Sequence, residues 1–338
     1  MIDRFVYITD THFTLRGVSS RKDDYYKVSI NKLKFVLKYM RKNNIKNLLH
    51  GGDLLSHPNI ADKVAGKVAG LMSEASADFG FKLFIIKGNH DISGKNPDTY
   101  INGKLNLFEK YKWFNFIGGK IVEFHNSVIS GVDYTKDGEE QLEHYMELTQ
   151  EQQKKTKILM LHLMVIGKKK SLIIDGHNYG ISYRDIVTDA DITLCGHNHL
   201  GFGIKKITEL AQKRYIINPC SMMRTNSHEA SLGAKPHLVD IIIKKDKQFK
   251  CKLIEIPHEE NVFIESEKKY SAKEILTDKQ FLKRLEELKT CGMSDDNLDA
   301  ILKSLLKKEF NTLNGEKFIF NKKILDYIKD TRKELENG

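Results

Sequence analysis

Residues 82–91 read KLFIIKGNHD: an apolar run of strand length stops at Gly88 and delivers an amide, an imidazole and a carboxylate in succession. Bulky and branched side chains suit a buried strand, and the glycine and asparagine that follow mark a turn. Working outward, the pattern recurs as FVYITDTH at 5–12, NLLHGGD at 47–53, KILMLHL at 157–163 and DITLCGHNH at 191–199. Amphipathic stretches separate the first three strands: residues 27–43, with Ile30, Leu33, Val36, Leu37 and Met40 on one side, and residues 60–79. Strand–helix–strand alternation predicts a parallel sheet whose loops beyond the strand carboxyl ends converge on one crevice. The five polar motifs are therefore expected to meet in space.

Further along, the pattern predicts a helix over 99–112, short strands near 114–131 and a polar helix over 138–155. From 204 to 256 it predicts short strands with turns, among them RYIIN (214–218), LVDIIIKK (238–245) and KCKLIEI (250–256). These are read as a second sheet closing a sandwich. The expected fold class is α/β, a two-sheet β-sandwich core flanked by helices, with a small helical region at the C-terminus. The division is placed at 1–262 and 263–338. Past it, Ser271 with Glu274 and Thr277 with Gln280 fit capping boxes, and Leu298, Ile301, Leu302, Leu305 and Leu306 form a helical stripe.

The 338 residues carry a formal charge of +10, and since 263–338 hold 16 basic against 15 acidic residues, nearly all the excess lies on 1–262. A basic balance favours a polyanionic partner. Four scattered cysteines without a CxxC pair argue against a zinc knuckle or a disulfide framework, and no apolar run reaches the roughly 20 residues of a membrane span. A cytoplasmic protein, without a membrane partner, is expected.

The motif side chains are carboxylate, imidazole and amide, a donor set that Mn²⁺, Fe²⁺, Zn²⁺ and Co²⁺ all accept. Two ions about 3.5–4 Å apart need a bridging oxygen ligand, and Asp53, behind two glycines at a strand end, is placed to supply it. The order DxH, GGD, GNHD, lone His and GHxH resembles the calcineurin-like metallophosphoesterase superfamily. Carried over by position, Asp10, His12, Asp53 and His199 would hold one ion, and Asp53, Asn89, His162 and His197 the other. His90 would contact the scissile phosphate and stabilise or protonate the leaving oxygen, with Asp91 orienting its imidazole; stabilising the loop is the alternative role for Asp91.

Within that superfamily the chain is similar to SbcD-type nuclease subunits and their bacteriophage recombination relatives. The likeness rests on YITDTHF (7–13), NPCSMMRT (218–225), the strands after it and the helical C-terminus. It implies Mn²⁺-dependent DNA cleavage by 3′–5′ exonuclease and endonuclease activity, in a bacterial or virus-infected bacterial cytoplasm. It also implies an SbcC-type coiled-coil ATPase partner docked on the C-terminal helices. A homodimer is implied too, with helix 60–79 (Val64, Val68, Leu71, Met72) as a candidate contributor. Candidate DNA contacts are His57, Lys168, Lys169, Lys170 and Arg224, against the alternatives of a surface histidine and a solvated loop. Cys220 stands where the family commonly has glycine, which puts that loop's geometry in question. The competing functions are a cyclic-nucleotide diesterase or phosphoprotein phosphatase, and an ion-poor scaffold.

Overall fold

In the computed structural model, alternation along each strand decides which side of a sheet meets which layer. The structure describes residues 2–263, apart from 94–95, 136–142, 169–171, 175–176, 210–211 and 226–232. The chain divides after Ile264, and the helical region foreseen over 263–338, with its capping boxes and leucine stripe, lies outside the described residues but for Phe263.

The first half runs β1 (Asp3–Ile8), α1 (Tyr25–Lys42), β2 (Asn47–His50), α2 (Asp62–Phe79), β3 (Lys82–Ile85), α3 (Leu105–Phe108), β4 (Phe114–Phe116), β5 (Ile121–Glu123) and β6 (Ser127–Val132). Then follow β7 (Glu143–His144), α4 (Gln150–Gln153), β8 (Thr156–Leu161), β9 (Val165–Ile166), β10 (Leu172–Ile174), β11 (His177–Ser182) and β12 (Val187–Thr188). The described part ends with β13 (Ile192–Cys195), β14 (Gly203–Glu209), β15 (Gln212–Asn218), β16 (His237–Ile243) and β17 (Phe249–Glu255).

Two six-stranded sheets form, in the orders β17-β16-β1-β2-β3-β4 and β14-β15-β13-β8-β6-β5. The central strands β1, β2, β3 and β4 run parallel, as do β15, β13, β8 and β6, and antiparallel strands close the edges. Phe5, Tyr7, Leu49 and Phe84 of the first sheet face Ile158, Met160, Ile192 and Leu194 of the second in one buried layer. The alternate residues Val6, Ile8, Leu48, Leu83 and Ile85 meet α1 and α2. Burying each such side chain contributes roughly 1.5–3 kcal/mol before the entropy of ordering it.

Helix α1 presents the predicted stripe to that sheet, and its first turn is capped by Asp24, which accepts the Lys27 N–H at 3.0 Å. Helix α2 stops at Gly80, whose φ of 72° is open to glycine at little cost. Val64, Val68, Leu71 and Met72 are buried in this core, so they are not the apolar face that a dimer contact through α2 would need.

Three expectations change. Residues 99–112 give a 3₁₀ turn over Pro97–Asn102 and the single turn α3, because Gly103 interrupts the helical pattern. The segment 138–155 is not one helix in its described part: β7 pairs with β12, and only α4 is helical, a turn held by the Thr149–Gln152 capping box with no buried residue. A polar stretch without an apolar stripe has nothing to dock. The strands of 204–256 do not make a sheet of their own: β14 and β15 join the second sheet, while β16 and β17 extend the first beside β1. Helices flank the first sheet. Over the second, Leu163, Val165, Ile181 and Tyr183 cover Leu159, Leu161, Cys195 and Ile216. Among the described residues no helix is long and apolar enough to cross a membrane.

Candidate metal centre

Parallel register sets the site. Ile8 lies beside His50, His50 beside Ile85, and Leu161 is aligned with both Cys195 and Val132, so within each sheet the central strands end level with one another. Beyond it the chain turns sharply: Asp10, His12, Asp53 and His197 have φ of 52°, 44°, 54° and 69°. Non-glycine residues avoid that region by roughly 1–2 kcal/mol each, and such strain persists where surrounding structure enforces it. Here the first two loops pin each other, Asp10 N–H donating to the Gly52 carbonyl at 3.1 Å and His12 N–H to the Asp53 carbonyl at 3.0 Å. Gly88 is required on steric grounds, because a Cβ there would collide with the Asp53 carboxylate.

Two donor groups result: Asp10, His12, Asp53 and His199, and Asp53, His162 and His197, the donor atoms of each lying within 4.8 Å of one another. Asp53 belongs to both. Its Oδ1 accepts the His90 N–H at 2.8 Å, whereas Oδ2 is buried without a hydrogen-bond partner, 3.7 Å from His12 Nε2 and 3.4 Å from His162 Nε2. A buried carboxylate oxygen left in that state costs several kcal/mol in isolation. A cation on each side removes the cost, and the donor chemistry fits two divalent ions. His12 and His199 turn their Nε2 atoms to within 2.9 Å of each other, with Asp10 Oδ1 3.5 Å from the latter. Asn89 Oδ1 sits 3.1 Å from His162 Nε2, which places the amide in the second group.

The electrostatics suit ligation. Burial lowers His12 and His197 to about 4, so both offer neutral imidazole at pH 7. Burial by itself would raise Asp10, but His199 and His162 more than offset it and hold the carboxyl at about 2. Asp53 is likewise held well below the usual carboxylate range, against burial, by His162 and His12. Burial would lower His162, yet the Asp53 carboxylate outweighs it and raises that imidazole to about 9. The ion-free site therefore stores one proton on His162, which metal displaces.

His90 is exposed, its ring perpendicular to that of His12 with centroids 4.8 Å apart. Its Nδ1 meets the Ser56 carbonyl at 2.9 Å. That carbonyl, not Asp91, orients the ring. The Asp91 carboxylate instead accepts the N–H groups of Gly88 at 2.9 Å, Leu55 at 3.0 Å and Leu54 at 3.3 Å, tying the GNHD loop to the GGD loop. Three backbone donors converge on Asp91 because both loops must bury their amides, and burial with the Asp53 charge raises its carboxyl to about 7.

Of the DNA contacts foreseen, Arg224 is corrected. It is buried, and its guanidinium donates to the carbonyls of Glu259 and Glu260, satisfying chain rather than polyanion. His57 and Lys168 are exposed and outside the ligand cluster, and Lys169 and Lys170 lie outside the described residues. Cys220 keeps a glycine-like φ of 72°, its Sγ donating to the Leu200 carbonyl at 2.8 Å. The loop behind it packs on the ligands: Ser221 Oγ donates to the Asp10 carbonyl at 2.9 Å and Met222 N–H to the Thr9 carbonyl at 3.1 Å.

Sequence reasoning missed the groups behind the ligands. The Gly51 carbonyl holds His162 Nδ1 at 2.7 Å and Thr225 Oγ1 meets His199 Nδ1 at 3.2 Å, each turning Nε2 toward the ion position. His50, within NLLHGGD, is buried with Nε2 3.1 Å from Thr11 Oγ1, and burial lowers it to about 3. Since Thr11 donates to the Leu54 carbonyl, its oxygen accepts from His50, a neutral strut beneath the centre. Only the position of His50 and Thr225 inside the motifs could have signalled them.

A comparison with curated proteins gives no match. Among solved structures, a dimetal phosphatase from Danio rerio is similar at 11% identity and a TM-score of 0.43, over 75% of this chain and 99% of that one. The calcineurin-like phosphoesterase family model matches residues 3–201, the span that carries the DTH, GGD, GNHD, His162 and GHNH motifs. The match covers more than half of the sequence, and the chain belongs to the calcineurin-like phosphoesterase family of metal-dependent hydrolases.

Proposed function

We propose that the protein is a two-ion phosphodiesterase that cleaves DNA, the nuclease subunit of an SbcC/SbcD-like end-processing complex, with Mn²⁺ as its metal. The observation that carries the chemistry is Asp53, shared by both donor groups with Oδ2 buried and unpartnered. Two divalent ions there neutralise phosphate oxygens and activate water for in-line attack. Asp10 and Asp53 supply the fixed negative charge, and His12, His162, His197 and His199 the neutral donors. Because a carbonyl only accepts, His90 Nδ1 carries a proton toward Ser56, which leaves Nε2 as the atom that, in the imidazolium form, would give a proton to the leaving oxygen.

Two features support DNA as the substrate: the basic excess on residues 1–262, and the SbcD-type resemblance carried by YITDTHF and NPCSMMRT. The same reading assigns residues 263–338 to docking of the coiled-coil ATPase, a homodimeric assembly and a cytoplasmic location. The test is cleavage of an end-labelled duplex and of a DNA hairpin by wild type and His90→Ala, with Mn²⁺ or EDTA. Mn²⁺-dependent cutting lost in the variant supports the proposal. Hydrolysis of bis-nitrophenyl phosphate with neither DNA cut would replace DNA by a small phosphodiester.

A further inference from the structure

We infer that Tyr134 is a positioning residue for the second metal site, acting through the rings of His162 and His197. This rests on the two-ion reading of the centre. Tyr134 lies two residues past the end of β6, whose neighbour β8 delivers His162 one residue past its own end. It is buried, 1% exposed. Its ring stands 6.1 Å from that of His162 at 81° and 5.8 Å from that of His197 at 45°, while the two imidazoles are 5.0 Å apart. The three rings form one cluster, two of whose members are ligands of the same group.

The backbone holds the tyrosine there. Its N–H donates to the Lys87 carbonyl at 2.8 Å, and the preceding Asp133 accepts the Lys87 N–H at 2.8 Å and pairs with Lys87 Nζ at 3.2 Å. Lys87 directly precedes Gly88 and Asn89, so this clamp joins the loop carrying Asn89, on one sheet, to the strand end carrying Tyr134, on the other. The Lys87 ammonium is itself seated over the Tyr100 ring, 3.9 Å from its centroid. A ring packed against both imidazoles restrains their planes, whereas the hydrogen bond of His162 Nδ1 to the Gly51 carbonyl fixes one ring at one atom. Such supports characteristically change metal affinity by roughly 10–100-fold.

The experiment is calorimetric Mn²⁺ titration of the full chain as wild type, Tyr134→Ala and Tyr134→Phe, with phosphodiester turnover measured alongside. Two ions bound by wild type establish the centre. Fewer than two would overturn the two-ion reading itself, before any question about Tyr134. Given two, Tyr134→Ala should weaken one ion by about tenfold or more and leave the other within a factor of two or three, while Tyr134→Phe restores wild-type affinity. A general packing defect would weaken both ions together, and that result, or no change in either, overturns the inference. Failure of phenylalanine to restore affinity also overturns it, since the hydroxyl would then be acting instead of the ring.

Discussion

Exchange of Asp53 for asparagine removes one charge while keeping the shape and an oxygen for the His90 N–H. In the ion-free protein His162 stands at about 9 against an ordinary 6.5, although burial opposes its charge. That gap, at about 1.4 kcal/mol per pH unit, is roughly 3 kcal/mol of preference for the imidazolium. Most of it comes from the carboxylate 3.4 Å away, with Asp10 adding less. In Asp53→Asn, burial should dominate as it does for His12 and His197, and His162 should titrate below 6.5. The assay is the pH dependence of the histidine Cε1–H NMR signals in EDTA, assigned with His162→Gln. A wild-type value at or below 6.5, or a value near 9 retained in the variant, would refute the reasoning. The sign for stability follows: with the folded value raised, the contribution is complete below about 6.5 and is lost as pH rises through about 9. Mn²⁺ loading at pH 7 should release the His162 proton in wild type, and the variant should lose both this release and at least one ion.

Three further outcomes are expected. Lys32 is buried with Nζ 2.6 Å from the Met222 carbonyl, and burial, helped by Arg224 and Arg21, lowers it to about 7. The unfolded chain therefore holds this proton more tightly, and Lys32 should contribute about 4 kcal/mol more stability at pH 10.5 than at pH 7, against the opposing loss from His162. It is read as the difference in denaturant-measured pH slope between wild type and Lys32→Met, and equal slopes in the two proteins would contradict it. Cys220→Gly relieves a residue at φ 72° and should raise stability by up to about 1 kcal/mol, seen as a melting temperature a few degrees higher, whereas a lower one would show that the Sγ bond to Leu200 matters more. His90→Ala should cut turnover of a phosphodiester with an alkoxide leaving group by roughly 10²–10⁴-fold with both ions still bound, and that of bis-nitrophenyl phosphate, whose leaving group needs no proton, far less; loss of an ion would recast His90 as a structural support.

The metal centre was legible because its parts are local. DTH, GGD, GNHD and GHNH each present donors within a few residues of a strand end, and parallel strands bring their ends to one side by topology alone. Helix α1 was legible for a similar reason: Asp24 caps it and its stripe repeats at helical spacing. The sequence left Asp91 open between orienting His90 and stabilising a loop because its partners, Leu54 and Leu55, are more than 30 residues away and are backbone amides, which no side-chain pattern records. Arg224 was misread because a basic residue in a loop looks the same whether its guanidinium meets solvent or the carbonyls of Glu259 and Glu260.

By itself, then, the sequence determined the strand–helix alternation, the family and the donor set, since these depend on side-chain type, period and order along the chain. Tertiary structure alone decided that β16 lies beside β1 while β15 lies beside β13, for such pairing is settled by which buried faces complement each other, in the first case across more than 200 residues. It also decided which groups stand behind the ligands: the Gly51 carbonyl, Thr225, His50 and the Tyr134 ring acquire their roles only through packing, because a hydrogen bond or ring contact exists only once strands and loops distant in sequence have come together.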